Sequence, residues 1–258
     1  MIDHLVKLAQ DARARVEKGY YDDVSPVRRP HDSLSRAVRE TRSNAIISEV
    51  KFASPSQGTI RKTESARQIA ESMVKGGACA ISVLTEPDNF NGGLVSLAEV
   101  AAGTRVPIVM KDIIVSLKQL EAGARAGADA VVIVSEVFSR SLGMTDLQEV
   151  LGRARGLGLE ALVEANELAN FLMMKSFRPD LYGINNRDLS TLQLELSKTE
   201  EIISRAAGID GLIVSESGIN DPEDVRRLRK AGAQAFLIGT SIMRANNIES
   251  KVRELVQA

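Results

Sequence analysis

The stretch RAGADAVVIVSEV (Arg125 to Val137) holds the unit from which the fold is read. Gly127 suits a helix C-terminus. The nearly unbroken apolar run Ala128 to Val134 reads as a strand buried on both faces, and Ser135 and Glu136 put functional groups directly after it. Two further stretches share this opening, KGGACAI (Lys75 to Ile81) and KAGAQAF (Lys230 to Phe236). From Gly77 to Gly127 is 50 residues and from Gly127 to Gly232 is 105, close to two and four units of about 25, the size of one strand plus one helix.

Outward from these stretches, eight such runs alternate with helix-period segments. They are Ala45 to Val50, Cys79 to Leu84, Pro107 to Met110, Ala128 to Val134, Leu159 to Val163, Leu181 to Ile184, Gly211 to Val214 and Ala235 to Ile238. Strand-then-helix repetition predicts a parallel sheet. Eight units of one period, with no Gly-x-Gly-x-x-Gly turn after the first strand, predict an α/β chain closed into a single (β/α)8 TIM barrel, not an open doubly wound sheet. Barrels of this class run to about 250 residues as one domain, so residues 1–258 are expected to form one barrel domain.

Residues 1–43 precede the first strand as an N-terminal helical extension. Leu5, Leu8, Ala9, Ala12 and Val16 mark one helix from Ile2 to Val16, and a second starts near Asp32 or Ser33 with Leu34, Ala37 and Val38 inward. Three places are open to these helices: the bottom of the barrel, its top, or a dimer interface.

The 33 Lys and Arg against 34 Asp and Glu leave a formal charge of -1, without the basic excess that nucleic-acid binding needs. No apolar run approaches the roughly 20 residues of a membrane-spanning helix, and the N-terminus has no signal-peptide apolar region. A cytoplasmic protein with neither nucleic-acid nor membrane partner is expected. Cys79 is the one cysteine, which excludes an intrachain disulfide and a cysteine metal cluster. With His4 and His31 as the only histidines, no metal site is expected.

Active sites of (β/α)8 barrels are built at the C-terminal ends of the strands. Here the strands end in Glu49 and Lys51; Thr85 and Glu86; Lys111 and Asp112; Ser135 and Glu136; Glu164; Asn185, Asn186 and Arg187; Ser215, Glu216, Ser217 and Gly218; and Gly239, Thr240 and Ser241. Glu49 and Lys51 are two apart, as are Asn185 and Arg187, so each pair projects to one face. Two lysines and several carboxylates at one mouth form an acid and base set, with burial and neighbouring charge expected to bring a lysine toward neutrality. A rim of solvated salt bridges is the plainer alternative. Ser217-Gly218 and Gly239-Thr240 end the seventh and eighth strands, where such barrels bind phosphate on backbone N–H groups and a helix N-terminus; tight turns are the alternative. Asn91-Gly92-Gly93 reads equally as a ligand-covering loop or a turn. Cys79 reads as a small core residue, Met173 and Met174 as core filling, and His4 and His31 as surface or capping residues.

The strand ends together resemble those of the indole-3-glycerol phosphate synthase family. The resemblance rests on IISEVKFASPSQG (Ile46 to Gly58), ISVLTEPDNFNGG (Ile81 to Gly93), PIVMKDIIV (Pro107 to Val115), LVEANE (Leu162 to Glu167), GINNRDLSTLQL (Gly183 to Leu194), VSESGI (Val214 to Ile219) and FLIGTSIMR (Phe236 to Arg244), seven motifs in order on the expected strand ends. These span the barrel beyond Ala45, whereas the N-terminal extension matches weakly.

The resemblance implies a cofactor-free and metal-free carbon–carbon lyase of tryptophan biosynthesis. Its small phosphorylated substrate is 1-(2-carboxyphenylamino)-1-deoxyribulose 5-phosphate, and its product is indole-3-glycerol phosphate. Carried over motif by motif, Lys111 is the general acid, Glu164 the general base of dehydration, and Lys51 an anchor of the substrate carboxylate or phosphate and a second acid. Glu49, Asn185 and Glu216 complete the catalytic set, with Arg187 positioning substrate. Phosphate is expected at Ser217, Gly218, Gly239 and Thr240 with Ser54 and Ser56 in support, and the aromatic ring against Phe90, Leu84, Ile113 and Val132.

Two departures from the family's pattern stand out. Ile113 occupies a position that is commonly aromatic, and the chain has no Trp, so Tyr20 or Tyr21 is the available N-terminal aromatic. A monomer or a homodimer, with or without other tryptophan-pathway enzymes, fits this reading. Two rivals remain: another phosphate-binding barrel enzyme such as a phosphoribosyl anthranilate isomerase, and a non-catalytic barrel that binds a phosphorylated metabolite.

Overall fold

The structure, a computed structural model, describes residues 3–61, 65–206 and 208–258. Ile2, the expected start of the first helix, lies outside the described residues. Within them, eight parallel strands close into one barrel: β1 (Ala45–Val50), β2 (Ala80–Leu84), β3 (Ile108–Lys111), β4 (Ala130–Val134), β5 (Glu160–Ala165), β6 (Leu181–Asn185), β7 (Leu212–Glu216) and β8 (Ala235–Ile238). Each strand pairs with its sequence neighbours, and β1 pairs with β8 to close the ring. A short antiparallel hairpin, Ala53–Ser54 with Gly58–Thr59, follows β1 at the mouth.

The strands run later than the apolar runs suggested. β3 takes in Lys111, β5 Glu164 and Ala165, β6 Asn185, and β7 Ser215 and Glu216. Apolar composition stops where the barrel interior turns polar, but the backbone ladder continues, because hydrogen bonding does not depend on the side chain. Conversely Cys79, Pro107, Ala128, Leu159 and Gly211 precede their strands.

Strands β1, β3, β5 and β7 place successive inward residues in common layers. Ile47, Val109, Leu162 and Val214 are fully buried inside the barrel, and two residues later on the same strands stand Glu49, Lys111, Glu164 and Glu216. This is the four-residue layering of alternate strands expected of an eight-stranded barrel.

The helix Leu34–Glu40 closes the opposite end. Leu34 and Val38 join the inner cluster at the strand starts, beside Ala45, Ala80, Ala130, Leu181 and Ala235. Ser33 caps this helix by accepting from the Arg36 N–H, and Glu160 at the start of β5 accepts from Ser33 Oγ and from the N–H and Oγ of Ser35. The helix His4–Glu17 lies at the other end, its buried face being Leu5, Leu8, Ala9, Ala12 and Val16 as the spacing predicts. Arg15 on that helix pairs with Glu86 at 2.7 Å and Asp88 at 2.5 Å, both beyond the end of β2. The extension thus takes two of its three open places, one helix at each end.

Cys79 is partly buried against the inner cluster, and burial pushes its thiol up to about 12. Met174 is fully buried and Met173 packs on the same core. His4 opens the first helix, and the half-exposed His31 lies 3.9 Å from Asp129, remote from the mouth.

Candidate active site

Lys111, the last residue of β3, carries an ammonium ringed by three carboxylates from the other odd strands. Its Nζ lies 2.5 Å from Glu216 Oε2, 3.2 Å from Glu164 Oε2 and 4.0 Å from Glu49 Oε2. Lys51 pairs with the other oxygen of Glu49 at 2.8 Å. Asn185 Nδ2 donates to Glu164 Oε1 at 2.9 Å, while Asn185 Oδ1 accepts from the Arg187 N–H.

Two glycines make room for these carboxylates. A Cβ on Gly183, which pairs with Glu164 across β5 and β6, would lie 2.6 Å from Glu216 Oε1 and 2.8 Å from Glu164 Cβ. A Cβ on Gly239 would lie 3.1 Å from Glu49 Cβ. Glycine is the residue that permits so close an approach of backbone to a charged layer.

Electrostatics sorts the groups. Burial by itself would lower the Lys111 pKa, but the charges of Glu164, Glu216 and Glu49 outweigh it and hold the ammonium above the ordinary lysine range. The expected drift toward neutrality is therefore overturned: three close carboxylates stabilise the cation more than desolvation penalises it. Burial pushes the Glu216 carboxyl well up, helped by the charge of Glu164 and opposed by Lys111. Glu164 is buried too, but Lys111 and the Asn185 amide bring it below the ordinary carboxylate range. Two carboxylates that share one cation divide in this way, one pushed up and the other brought down. Asp112, directly after Lys111, is pushed up to about 6 by burial, against the hydrogen bonds from Thr85, Tyr21 and the Ile113 N–H.

One cavity gathers the expected residues. Lys51, Ser54, Ser56, Leu84, Phe90, Ile113, Val132, Arg187, Ser217, Gly218, Gly239 and Thr240 line it together with Glu49, Lys111, Glu164 and Asn185. Glu216 stands behind Lys111. Ser217 and Gly218 have φ of 67° and 82°, successive left-handed residues that turn the chain at the end of β7. Asn186 Nδ2 donates to the Ser217 carbonyl and Asn220 Nδ2 to that of Gly218, holding this turn. Backbone held in a sparsely populated region by side chains clusters at functional loops.

Neither Tyr20 nor Tyr21 lines the cavity. Tyr21 is fully buried and donates to Asp112 at 3.0 Å, and the first helix contributes Leu8 to the cavity lining. Leu189, Leu192 and Leu194 also line the mouth and were not anticipated. Their signal was present as three leucines inside the polar loop NNRDLSTLQL, where nothing else calls for apolar side chains. Asn91-Gly92-Gly93 is a turn: Glu86 accepts from the N–H groups of Asp88, Asn89 and Phe90, and Gly93 donates to the Leu84 carbonyl.

A family model described as indole-3-glycerol phosphate synthase matches residues 4–255. The chain belongs to the indole-3-glycerol phosphate synthase family. It is 40% identical over 232 residues to the indole-3-glycerol phosphate synthase of Geobacillus thermodenitrificans, covering 89% of this chain and 87% of that protein. It is 39% identical over 227 residues to the synthase of Methanocaldococcus jannaschii, covering 86% and 82%. Membership makes the chain an enzyme, a carboxy-lyase of tryptophan biosynthesis, and sets aside a non-catalytic barrel and an isomerase. The indole-3-glycerol phosphate synthase match begins at the first helix, so the extension belongs to the family as well as the barrel.

Among solved structures, the chain is similar to N-acetylmannosamine-6-phosphate 2-epimerase from Clostridium perfringens, with TM-score 0.63, 16% identity and coverage of 84% of this chain and 93% of that one. Thiamine phosphate pyrophosphorylase from Pyrococcus furiosus follows with TM-score 0.60, 16% identity and coverage of 86% and 96%. At this identity the likeness is one of fold alone.

Proposed function

We propose that the chain converts 1-(2-carboxyphenylamino)-1-deoxyribulose 5-phosphate to indole-3-glycerol phosphate, losing one carbon dioxide and one water, with Lys111 as general acid. The observation that carries this reading is the Lys111 ammonium, 2.5 Å from Glu216 and 3.2 Å from Glu164, in a cavity that ends in the two glycine-bearing loops after β7 and β8.

The ring carbon that bears the carboxylate attacks the ketone carbon, pushed by the nitrogen lone pair, and the carbonyl electrons move to oxygen. Lys111 stabilises the developing oxyanion and gives it a proton. An ammonium held fully charged suits the stabilisation of the oxyanion, and its proton moves once the alkoxide has formed as the stronger base. The bond to the carboxylate then breaks, and its electrons return to the iminium and restore the aromatic ring as carbon dioxide leaves. The iminium is the electron sink, so the sequence of steps needs no cofactor. In the last step the hydroxyl departs as water with a proton from Lys51, and Glu164 takes the proton from the adjacent carbon to form the indole double bond. Glu164 is suited as the carboxylate of the pair that stays ionised.

Arg187 and Lys51 would receive the substrate carboxylate, and Ser217, Gly218, Gly239 and Thr240, with Ser54 and Ser56, the phosphate. Phosphate binding far from the reacting atoms supplies energy that orients them. Leu84, Phe90, Ile113 and Val132 would form the slot for the ring, with Glu49, Asn185 and Glu216 holding the charged groups in place. On this reading a single-domain cytoplasmic enzyme acts on a small phosphorylated molecule, without metal.

The test is indole fluorescence on mixing the pure protein with the substrate in EDTA. A rise that Lys111→Ala abolishes is expected. Saturable binding with no rise would overturn the reaction as assigned to these residues.

A further inference from the structure

Glu136 is a carboxylate near the active site that the proposed reaction does not use. It is the second residue of the short helix Ser135–Ser139, which follows β4 directly. Its Oε1 accepts from the Asn166 N–H at 2.9 Å and from the Asn170 side-chain amide at 3.3 Å, and Ser135 Oγ donates to its Oε2 at 3.1 Å. Asn166 stands just after β5, and its own side-chain amide donates to the backbone carbonyl of Asn185 at 2.8 Å. Asn185 Nδ2 completes the line by donating to Glu164 Oε1 at 2.9 Å. A second cavity runs beside the first and shares Glu164, Asn185 and Arg187 with it; Glu136 and Asn166 lie on its wall. Glu164 therefore stands between two open spaces and is held on the side of the second through this hydrogen-bonded line.

We propose that Glu136 is a positioning residue for Glu164: by fixing Asn166 it fixes the Asn185 amide that holds Glu164 Oε1, leaving Glu164 Oε2 toward Lys111 and the substrate. The inference rests on the reading of Glu164 as the base of the dehydration step. A base displaced by a fraction of an ångström loses rate without losing substrate affinity, because alignment matters at the reacting proton and phosphate binding is made elsewhere. Burial pushes the Glu136 carboxyl up, so glutamine, whose carbonyl accepts the same two bonds, is the matched replacement.

Steady-state kinetics on Glu136→Ala, Glu136→Gln, Glu164→Gln and the double variant Glu136→Ala/Glu164→Gln separate the possibilities. Glu136→Ala is expected to lower kcat about tenfold with KM within about twofold, Glu136→Gln to restore kcat to within about threefold of wild type, and the double variant to be no slower than Glu164→Gln. Asn166→Asp, which removes the donor to the Asn185 carbonyl and keeps the backbone N–H, is expected to reproduce the loss in kcat. It serves the same purpose if Glu136→Ala does not fold. Wild-type kcat in Glu136→Ala or in Asn166→Asp, equal losses in the alanine and glutamine variants, or multiplied losses in the double variant would overturn the proposal. If Glu164→Gln itself keeps wild-type kcat, the role of Glu164 fails first and the inference falls with it, an outcome distinct from the others.

Discussion

Lys111 Nζ lies 2.5 Å from Glu216 Oε2, and the other oxygen of that carboxyl, Oε1, is buried without a hydrogen-bond partner among the described residues. An ionised carboxylate with one orphaned oxygen is costly in a buried layer, and a proton on it removes much of that cost. The direction of the Glu216 pKa, pushed up by burial, agrees with this geometry. Glu216 thus stands beside Lys111 as the carboxyl whose pKa is pushed up, while Glu164, brought below the ordinary range, is the one suited to act as a base.

Lys111→Ala is expected to lower kcat by at least about 10³-fold, through loss of acid catalysis and oxyanion stabilisation. It is also expected to cost stability of about 3–5 kcal/mol at neutral pH, because, with Glu49 still paired to Lys51, Glu164 and Glu216 remain buried together without their cation. Burial then raises their folded-state pKa values above the unfolded ones, so stability is regained below the ordinary carboxylate range and lost as pH rises. Thermal melts of both proteins between pH 4.5 and 8 check this. Curves that stay parallel to wild type would contradict it.

Asp112 gives a second pH signature. Its folded-state value of about 6 lies above the ordinary 3.8, so its favourable contribution is complete below the unfolded value and is lost as pH rises through about 6. Two units correspond to about 3 kcal/mol. Asp112→Asn removes this dependence, and the stability difference, variant minus wild type, is expected to rise by about that amount between pH 4 and 7. Urea titrations at the two ends measure it, and a constant difference would count against the buried ionisation.

Gly183→Ala tests the packing of the charged layer. A Cβ there meets both Glu216 and Glu164, so one or both must move. Loss of kcat of about 10²-fold and of about 1–3 kcal/mol of stability is expected. A variant with unaltered kinetics would mean that the two carboxylates tolerate displacement.

Leu34→Ala probes the opposite end of the barrel. Leu34 is fully buried against the strand starts, and truncation is expected to cost about 2–5 kcal/mol. At about 2–4 °C per kcal/mol for a chain of this size, the melting temperature falls by roughly 4–20 °C, with KM unaltered because the chemistry lies at the other face. A change in KM would couple the bottom helix to the mouth.

The eight strands, their parallel order and the amphipathic faces of both N-terminal helices were legible in the chain, because burial on two faces selects apolar runs and burial on one selects helical spacing. The acid and base residues were legible as polar residues at strand ends. Their layer was written there too, as Ile47 before Glu49, Val109 before Lys111, Leu162 before Glu164 and Val214 before Glu216, each pair two residues apart. Only the closed barrel decided that these four charges meet, since strands far apart in sequence share a layer only when the ring closes. Tertiary structure also decided that Lys111 is held charged and not neutral, that Glu164 and Glu216 shift in opposite directions, and that the N-terminal helix brings Leu8 and neither tyrosine to the cavity. Each depends on distances across the barrel of a few ångströms, over which charge and packing act and which no local pattern in the chain records.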